Sequence, residues 1–253
     1  MQLAVILRQV TGPTDLLSVL ALLAGQLPVF LGVGWTIRVP PLSREEGHEA
    51  ITRQAWDGLA LTDERQRALI RGVRAPDVGF IGILTSALPF AQRRHALRAW
   101  SGTTTAAGIR DMRGFLSDTH FRAMAIPDGP RRWAVFGEVL HCLQDSYSPA
   151  HTDRVGGQIV RMKHWGPLDG LRGRASGGPR DEHAFPSDRR DSAWSNGAFT
   201  AQALAAVAAS RAYLEIATGH AEPRASQERQ EREFAEFLDR YVAGAAESAR
   251  ADR

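Results

Sequence analysis

Along this chain apolar residues return every three or four positions, and nowhere is there a convincing run of the alternation a strand requires. That property restricts the fold to helices packed on helices. Ile51, Ala55 and Leu59 recur at spacing four and share one face of a helix within SREEGHEAITRQAWDGLAL. Thr62, followed by Asp63 and Glu64, reads as the capped start of a second helix running towards Gly72. Leu84 to Trp100 is helical in part and broken near Pro89, while Thr105–Met124 and Arg131–Tyr147 are two further helices. Asp191 to Thr218 is an alanine-rich helix with an apolar stripe through Ala201, Leu204, Val207 and Ala208. The last helix, roughly Ser226 to Ala249, sets Phe234, Phe237, Leu238 and Tyr241 against charges on its other side. The expected fold class is all-α, a single-domain helical bundle.

The length, 253 residues with 43% hydrophobic, supports one sizeable core and suits one domain better than two. No internal repeat is visible, which argues against a solenoid. Lys plus Arg total 31 against 28 for Asp plus Glu, a formal net charge of +3. Such a modest positive field suits anionic partners such as phosphate esters or lipid headgroups without selecting among them. Cys142 is the single cysteine, so an intramolecular disulfide and a four-cysteine zinc site are both excluded. Any metal must be held by histidine and carboxylate. Two stretches lack periodicity. VRAPDVGFIG, residues 73–82, reads as a loop. Residues 152–190, with RGRASGGPRD, read as a long irregular excursion of the kind that is usually functional or disordered.

Residues 1–34 contain one basic residue, Arg8, and one acidic one, Asp15, and Leu16 to Gly34 is free of charge. The stretch reads as the apolar part of a signal peptide, with Gly32 and Gly34 where a signal peptidase prefers small residues and Trp35 as the first mature residue. An uncleaved membrane anchor is the alternative; Pro28 and the glycines argue against a buried first helix. The expected organisation is a targeting or anchoring segment over 1–34 and a helical domain over 35–253, exported to the periplasm or beyond.

The most informative segment is FGEVLHCLQDSYSPAHTDR, residues 136–154. His141 and Asp145 stand four apart and project from one helix face a turn apart. Ser148-Pro149 then stops the helix, and His151 lies on the turn beyond. Zinc takes nitrogen from neutral imidazole and oxygen from carboxylate, and a carboxylate can also bridge two metals. As spacing alone, His-x3-Asp is more often a surface pair; His151 after the proline turn strengthens the metal reading.

LHCLQDSYSPAH resembles the His-x3-Asp-x5-His signature of the zinc-dependent phospholipase C and S1/P1 nuclease superfamily. The resemblance implies an all-helical domain of that type holding a cluster of three zinc ions in a cleft. It also implies a mature N-terminal tryptophan and a histidine on the first helix as ligands, for which Trp35 and His48 are the matching residues. Their separation resembles the phospholipase C branch, the nuclease branch having the shorter gap. Read alone, Trp35 is an interfacial aromatic beside an apolar segment. Asp77 and His95 stand in the order the family implies for a loop aspartate and a later histidine. Read alone, Asp77 is a turn former after Pro76, and His95 a surface histidine in a basic run. By the same resemblance Asp145 is the bridging carboxylate, and His151 serves an isolated third zinc. The family completes that third site with a His-x3-Glu or His-x3-Asp pair. Here the candidates are His183 with Asp188, which are favoured, and His164 with Asp169; both have His-x4-Asp spacing with a proline between. His120 and His220 read as structural or exposed. The resemblance spans residue 35 to about 215 but rests on a few short blocks.

The implied activity is phosphodiester hydrolysis by metal-activated water, with Asp77 as the residue that orients the water or acts as general base. Phospholipase C action on glycerophospholipids is the first expectation, with a phosphodiester substrate, a possible membrane surface and a monomeric protein. A nuclease or 3′-nucleotidase on the same scaffold is the alternative, and Trp100, Trp133, Trp165 and Trp194 are aromatics that can stack on bases or fill a core. A membrane-anchored helical binding protein without catalysis is the third reading.

Overall fold

The first helix, α1 (Gly47–Trp56), buries Ala50, Ile51, Ala55 and Trp56. The second, α2 (Asp63–Arg74), begins at Thr62, whose hydroxyl accepts a hydrogen bond from the Arg65 amide (3.4 Å). In this computed structural model the described residues are 47–76, 89–99, 103–164, 193–195, 197–220 and 226–245, and they are mostly helical. A short helix α3 (Pro89–Gln92) runs into a 3-10 turn, Arg93–His95, which ends where Ala96 takes a left-handed φ of 49°. Two long helices follow, α4 (Thr105–Met124) and α5 (Pro130–Asp145), the latter with proline in its first turn, where the missing N–H has no intrahelical role. After two small hairpins the chain ends in α6 (Ala201–His220) and α7 (Gln227–Tyr241).

The core is built around α5. Its Trp133, Phe136, Val139, Leu140 and Leu143 are fully buried against Leu69 and Val73 of α2, Met112 and Leu116 of α4, Tyr213 and Leu214 of α6 and Phe234 of α7. Burying each such side chain contributes about 1.5–3 kcal/mol. His120 is part of this core: its ring stacks on Phe234 at 4.3 Å, and its Nδ1 lies 3.3 Å from the Tyr213 hydroxyl. Trp133 is likewise a core residue, its indole N–H donating to Asp128 (2.9 Å).

Several expectations need correction. Residues 152–162 are not irregular. They form an antiparallel hairpin, β1 (Thr152–Val155) with β2 (Gln158–Met162), turned by Gly156 and Gly157, both at positive φ. A two-residue turn with positive φ at both positions matches the twist of the strands it joins, and Gly-Gly supplies it without steric cost. The alanine-rich helix starts at Ala201, ten residues later than Asp191. A second small hairpin, β3 (Trp194–Ser195) with β4 (Ala198–Phe199), precedes it, and Thr200 accepts from the Ala203 amide (3.1 Å) at the helix start. The buried face of that helix is Ala203, Ala206, Ser210, Tyr213 and Ala217, whereas Leu204, from the expected stripe, is 49% exposed. A run of alanines carries little directional hydrophobic signal, so Ser210 and Tyr213, one and two turns beyond Ala206, decide the face.

The last helix stops at Tyr241, and Ala243–Ala245 instead runs beside β2, exchanging hydrogen bonds with Ile159 (2.8 and 3.1 Å). Among the described residues no helix is long and apolar enough to cross a membrane. The apolar segment 16–34 lies outside them.

Candidate metal centre

The last turns of α5 carry the centre of the site. His141 and Asp145, one turn apart, both point into the interior, and the His141 Nε2 lies 3.1 Å from Asp145 Oδ2. From α1, His48 Nε2 reaches Asp145 Oδ1 at 3.1 Å. His95, at the end of the 3-10 turn, places Nδ1 3.3 Å from Asp145 Oδ2 and 3.0 Å from His141 Nε2. His151 approaches from the turn after α5, its Nε2 3.8 Å from Asp145 Oδ1. His95, His141, Asp145 and His151 are buried, and His48 is half-buried at the edge. One atom each from His48, His141 and Asp145 lies within 4.8 Å of the others, close enough to share one ion.

The outer nitrogens decide what the inner ones offer. His141 Nδ1 donates to the Val73 carbonyl (2.9 Å), and His151 Nδ1 donates to the His95 carbonyl. His48 Nδ1 donates to Gln144 Oε1 (2.9 Å), an orientation fixed because the Gln144 amide nitrogen donates to Thr52 (2.8 Å) and Ser210 (3.3 Å). Each of these rings therefore carries its proton on Nδ1 and, when neutral, turns the Nε2 lone pair inward. Inward lone pairs then face the carboxylate oxygens of Asp145 at close range, an arrangement of acceptor against acceptor. It is relieved either by adding protons to buried imidazoles or by a cation among them. Nitrogen and carboxylate oxygen donors with carbonyl-anchored outer nitrogens are the donor set that a zinc ion takes, so these residues fit the metal that the resemblance implies.

Burial alone would raise the Asp145 carboxyl. The charges of His151, His141 and His48, with the His141 hydrogen bond, outweigh it and hold the group well below the usual carboxylate range. Asp145 is thus an anion at neutral pH, as a ligand must be. Cys142 beside it is no ligand: its thiol points away to the Arg93 carbonyl (3.1 Å), and burial, with Asp145 adding to it, pushes its pKa up, so it remains a thiol.

Comparison of the chain with family models, with curated proteins and with solved structures finds no match. The site therefore stands on its own geometry.

Of the residues singled out in the sequence, the fold brings His48, His95, His141, Asp145 and His151 together. Trp35, Asp77, His183 and Asp188 lie outside the described residues, as does Asp169. His164 is not the loop residue its surroundings suggest: it is buried at the end of β2, where it forms a parallel bridge with Arg98.

Gln144, Lys163 and Arg154 escape a reading for metal ligands and matter here. Gln144 orients His48, and its signal is a polar residue on the buried face of α5, three positions after His141. Lys163 is 2% exposed. Its ammonium donates to the Pro149 carbonyl and lies 3.5 Å from Asp153, while its backbone N–H holds the His151 carbonyl (2.8 Å), so it pins both sides of the His151 turn. Arg154 closes the other side, donating to the Ser146 carbonyl (2.7 Å) and hydroxyl (3.0 Å) with its guanidinium 3.9 Å over the Tyr147 ring.

Proposed function

We propose that this protein is a zinc-dependent phosphodiester hydrolase of the phospholipase C and S1/P1 nuclease type, of the phospholipase C branch. One observation carries the reading: a buried Asp145 stands among four imidazoles, of which His48, His141 and His151 have their outer protons committed elsewhere. His48, His95, His141, Asp145 and His151 would hold the metal. Bound zinc supplies Lewis acidity at a phosphoryl oxygen and makes hydroxide available near neutral pH.

The chain's own contribution is orientation. The Val73 and His95 carbonyls and Gln144 hold three rings in the ligating tautomer. The carboxylate of Asp145 offers one oxygen to the side of His48 and His151 and the other to that of His95 and His141. Asp77 is the residue assigned to orient the attacking water, by resemblance.

The test is zinc content together with hydrolysis of a phosphatidylcholine substrate and of single-stranded DNA, on the same purified protein. Bound zinc with chelator-sensitive lipid cleavage is expected. Cleavage of DNA alone transfers the protein to the nuclease branch, and zinc-free protein inert on both substrates leaves a helical binding protein.

A further inference from the structure

A second site lies on the outer side of α1 and α2. An open cavity of about 330 Å³ is walled by Arg53 at the C-terminal half of α1 and by Arg67 and Arg71 along α2, over Trp56 and Ile70. Small-molecule pockets begin at about this size. The neighbouring arginines on α2 are neutralised, Arg65 by Asp128 (2.6 Å) and Arg74 by Glu49 (3.1 Å). Arg53 is paired as well, its guanidinium 3.9 Å from Glu49. Arg67 and Arg71 make no ion pair among the described residues, although they stand one turn apart on the same helix, a spacing at which like charges destabilise each other. Among the described lining residues Asp63 is the one carboxylate, so Arg67 and Arg71 leave the cavity net positive.

We propose that this cavity binds a phosphate monoester. A monoester carries a charge of about −2 near neutral pH, and its three terminal oxygens accept the planar forks of Arg67 and Arg71 side by side. The apolar floor of Trp56 and Ile70 faces the carbon part of the ester. A carboxylate carries half the charge, and bare phosphate leaves the floor uncovered. The cavity is distinct from the histidine cluster. Arg53 and Trp56 stand five and eight residues beyond His48 on α1, roughly 7.5 and 12 Å along its axis. The binding claim does not depend on the function proposed above. Under that function, water adds across one P–O bond of a diester to leave an alcohol and a monoester, so the cavity would take the class of the product.

The measurement is calorimetric titration of the zinc-loaded full chain with glycerol 3-phosphate, alongside co-sedimentation with phosphatidylcholine vesicles containing phosphatidic acid. Saturable binding of the soluble ester points to a free ligand, and binding to the vesicles alone points to a lipid-borne one. In either case the Arg67→Gln/Arg71→Gln protein is expected to bind at least about tenfold more weakly, since each arginine supplies charge-assisted hydrogen bonds. The Arg67→Lys/Arg71→Lys protein is expected to lose less. Both arginines are exposed, so the far-ultraviolet dichroism and the zinc content of both variants are expected to stay unchanged, which locates the loss in the cavity. Undiminished affinity in the folded glutamine variant, or no binding of either ligand by the wild type, overturns the proposal.

Discussion

At the scale of single residues, the position of one proton depends on Gln144. Its carbonyl takes the His48 Nδ1–H only because its amide is committed to Thr52 and Ser210. Gln144→Ala removes that acceptor and leaves His48 free to turn. Zinc affinity measured by competition with a chromogenic chelator is expected to fall about 10–100-fold, the usual effect of losing such an outer partner. Stability should fall by about 1–3 kcal/mol as the buried hydroxyls lose a partner; unchanged zinc affinity would show that His48 is not a ligand. Asp145 makes a prediction of a different kind. Its folded pKa is held below the ordinary value, so its charge stabilises the fold above an unfolded pKa of about 3.9 and ceases to do so as pH falls towards the folded value. Urea unfolding of chelator-treated protein should show a gap between wild type and Asp145→Asn that persists from neutral pH down to about pH 4 and narrows below it. A gap that failed to narrow below about pH 4 would mean that the carboxyl is not depressed.

At the scale of elements, the site depends on how closely α2 can approach α5. Gly72 and Gly137 meet at the crossing: a Cβ on Gly72 would stand 1.8 Å from the Ala134 carbonyl oxygen, and one on Gly137 would stand 2.5 Å from that of Leu69. Both obstacles are backbone and cannot swing aside. Gly72→Ala and Gly137→Ala are each expected to destabilise the protein by about 2–4 kcal/mol in urea unfolding, despite the better helix propensity of alanine. Because Val73, next to Gly72, supplies the carbonyl that orients His141, zinc affinity should fall in the same variants. Wild-type stability in both would mean that the helices separate without penalty. This crossing also explains what was legible in the sequence. Thr62 with Asp63 and Glu64 marked the start of α2, and opposed apolar and charged faces marked α7 as a helix beginning near Ser226. The β1–β2 hairpin was hidden because Gly156-Gly157 sits in a glycine-rich region, where a turn looks like more of the same. The face of α6 was misread because alanine gives no direction.

For the whole molecule, the site ties together segments far apart in the chain: His48 on α1, His95 after α3, and His141, Asp145 and His151 at the end of α5. Only the last three share a short segment, and only they could be read from spacing. His48 and His95 came from resemblance, and the Val73 and His95 carbonyls that anchor two rings leave no mark in any side chain. An ion held by such dispersed ligands binds the folded chain and not the unfolded one, so it must stabilise the fold by mass action. With free zinc at a hundred times its dissociation constant the gain is about 2.7 kcal/mol. For a domain of this size that corresponds to a rise in Tm of roughly 5–10 °C. Thermal melts of the full chain with and without excess chelator should show that difference, reversed by adding zinc and absent in Asp145→Asn, in which the charged centre of the cluster is gone. If wild type and Asp145→Asn respond alike to zinc, the ion acts elsewhere. If neither responds, no zinc binds the folded chain at the cluster, and the metal reading fails.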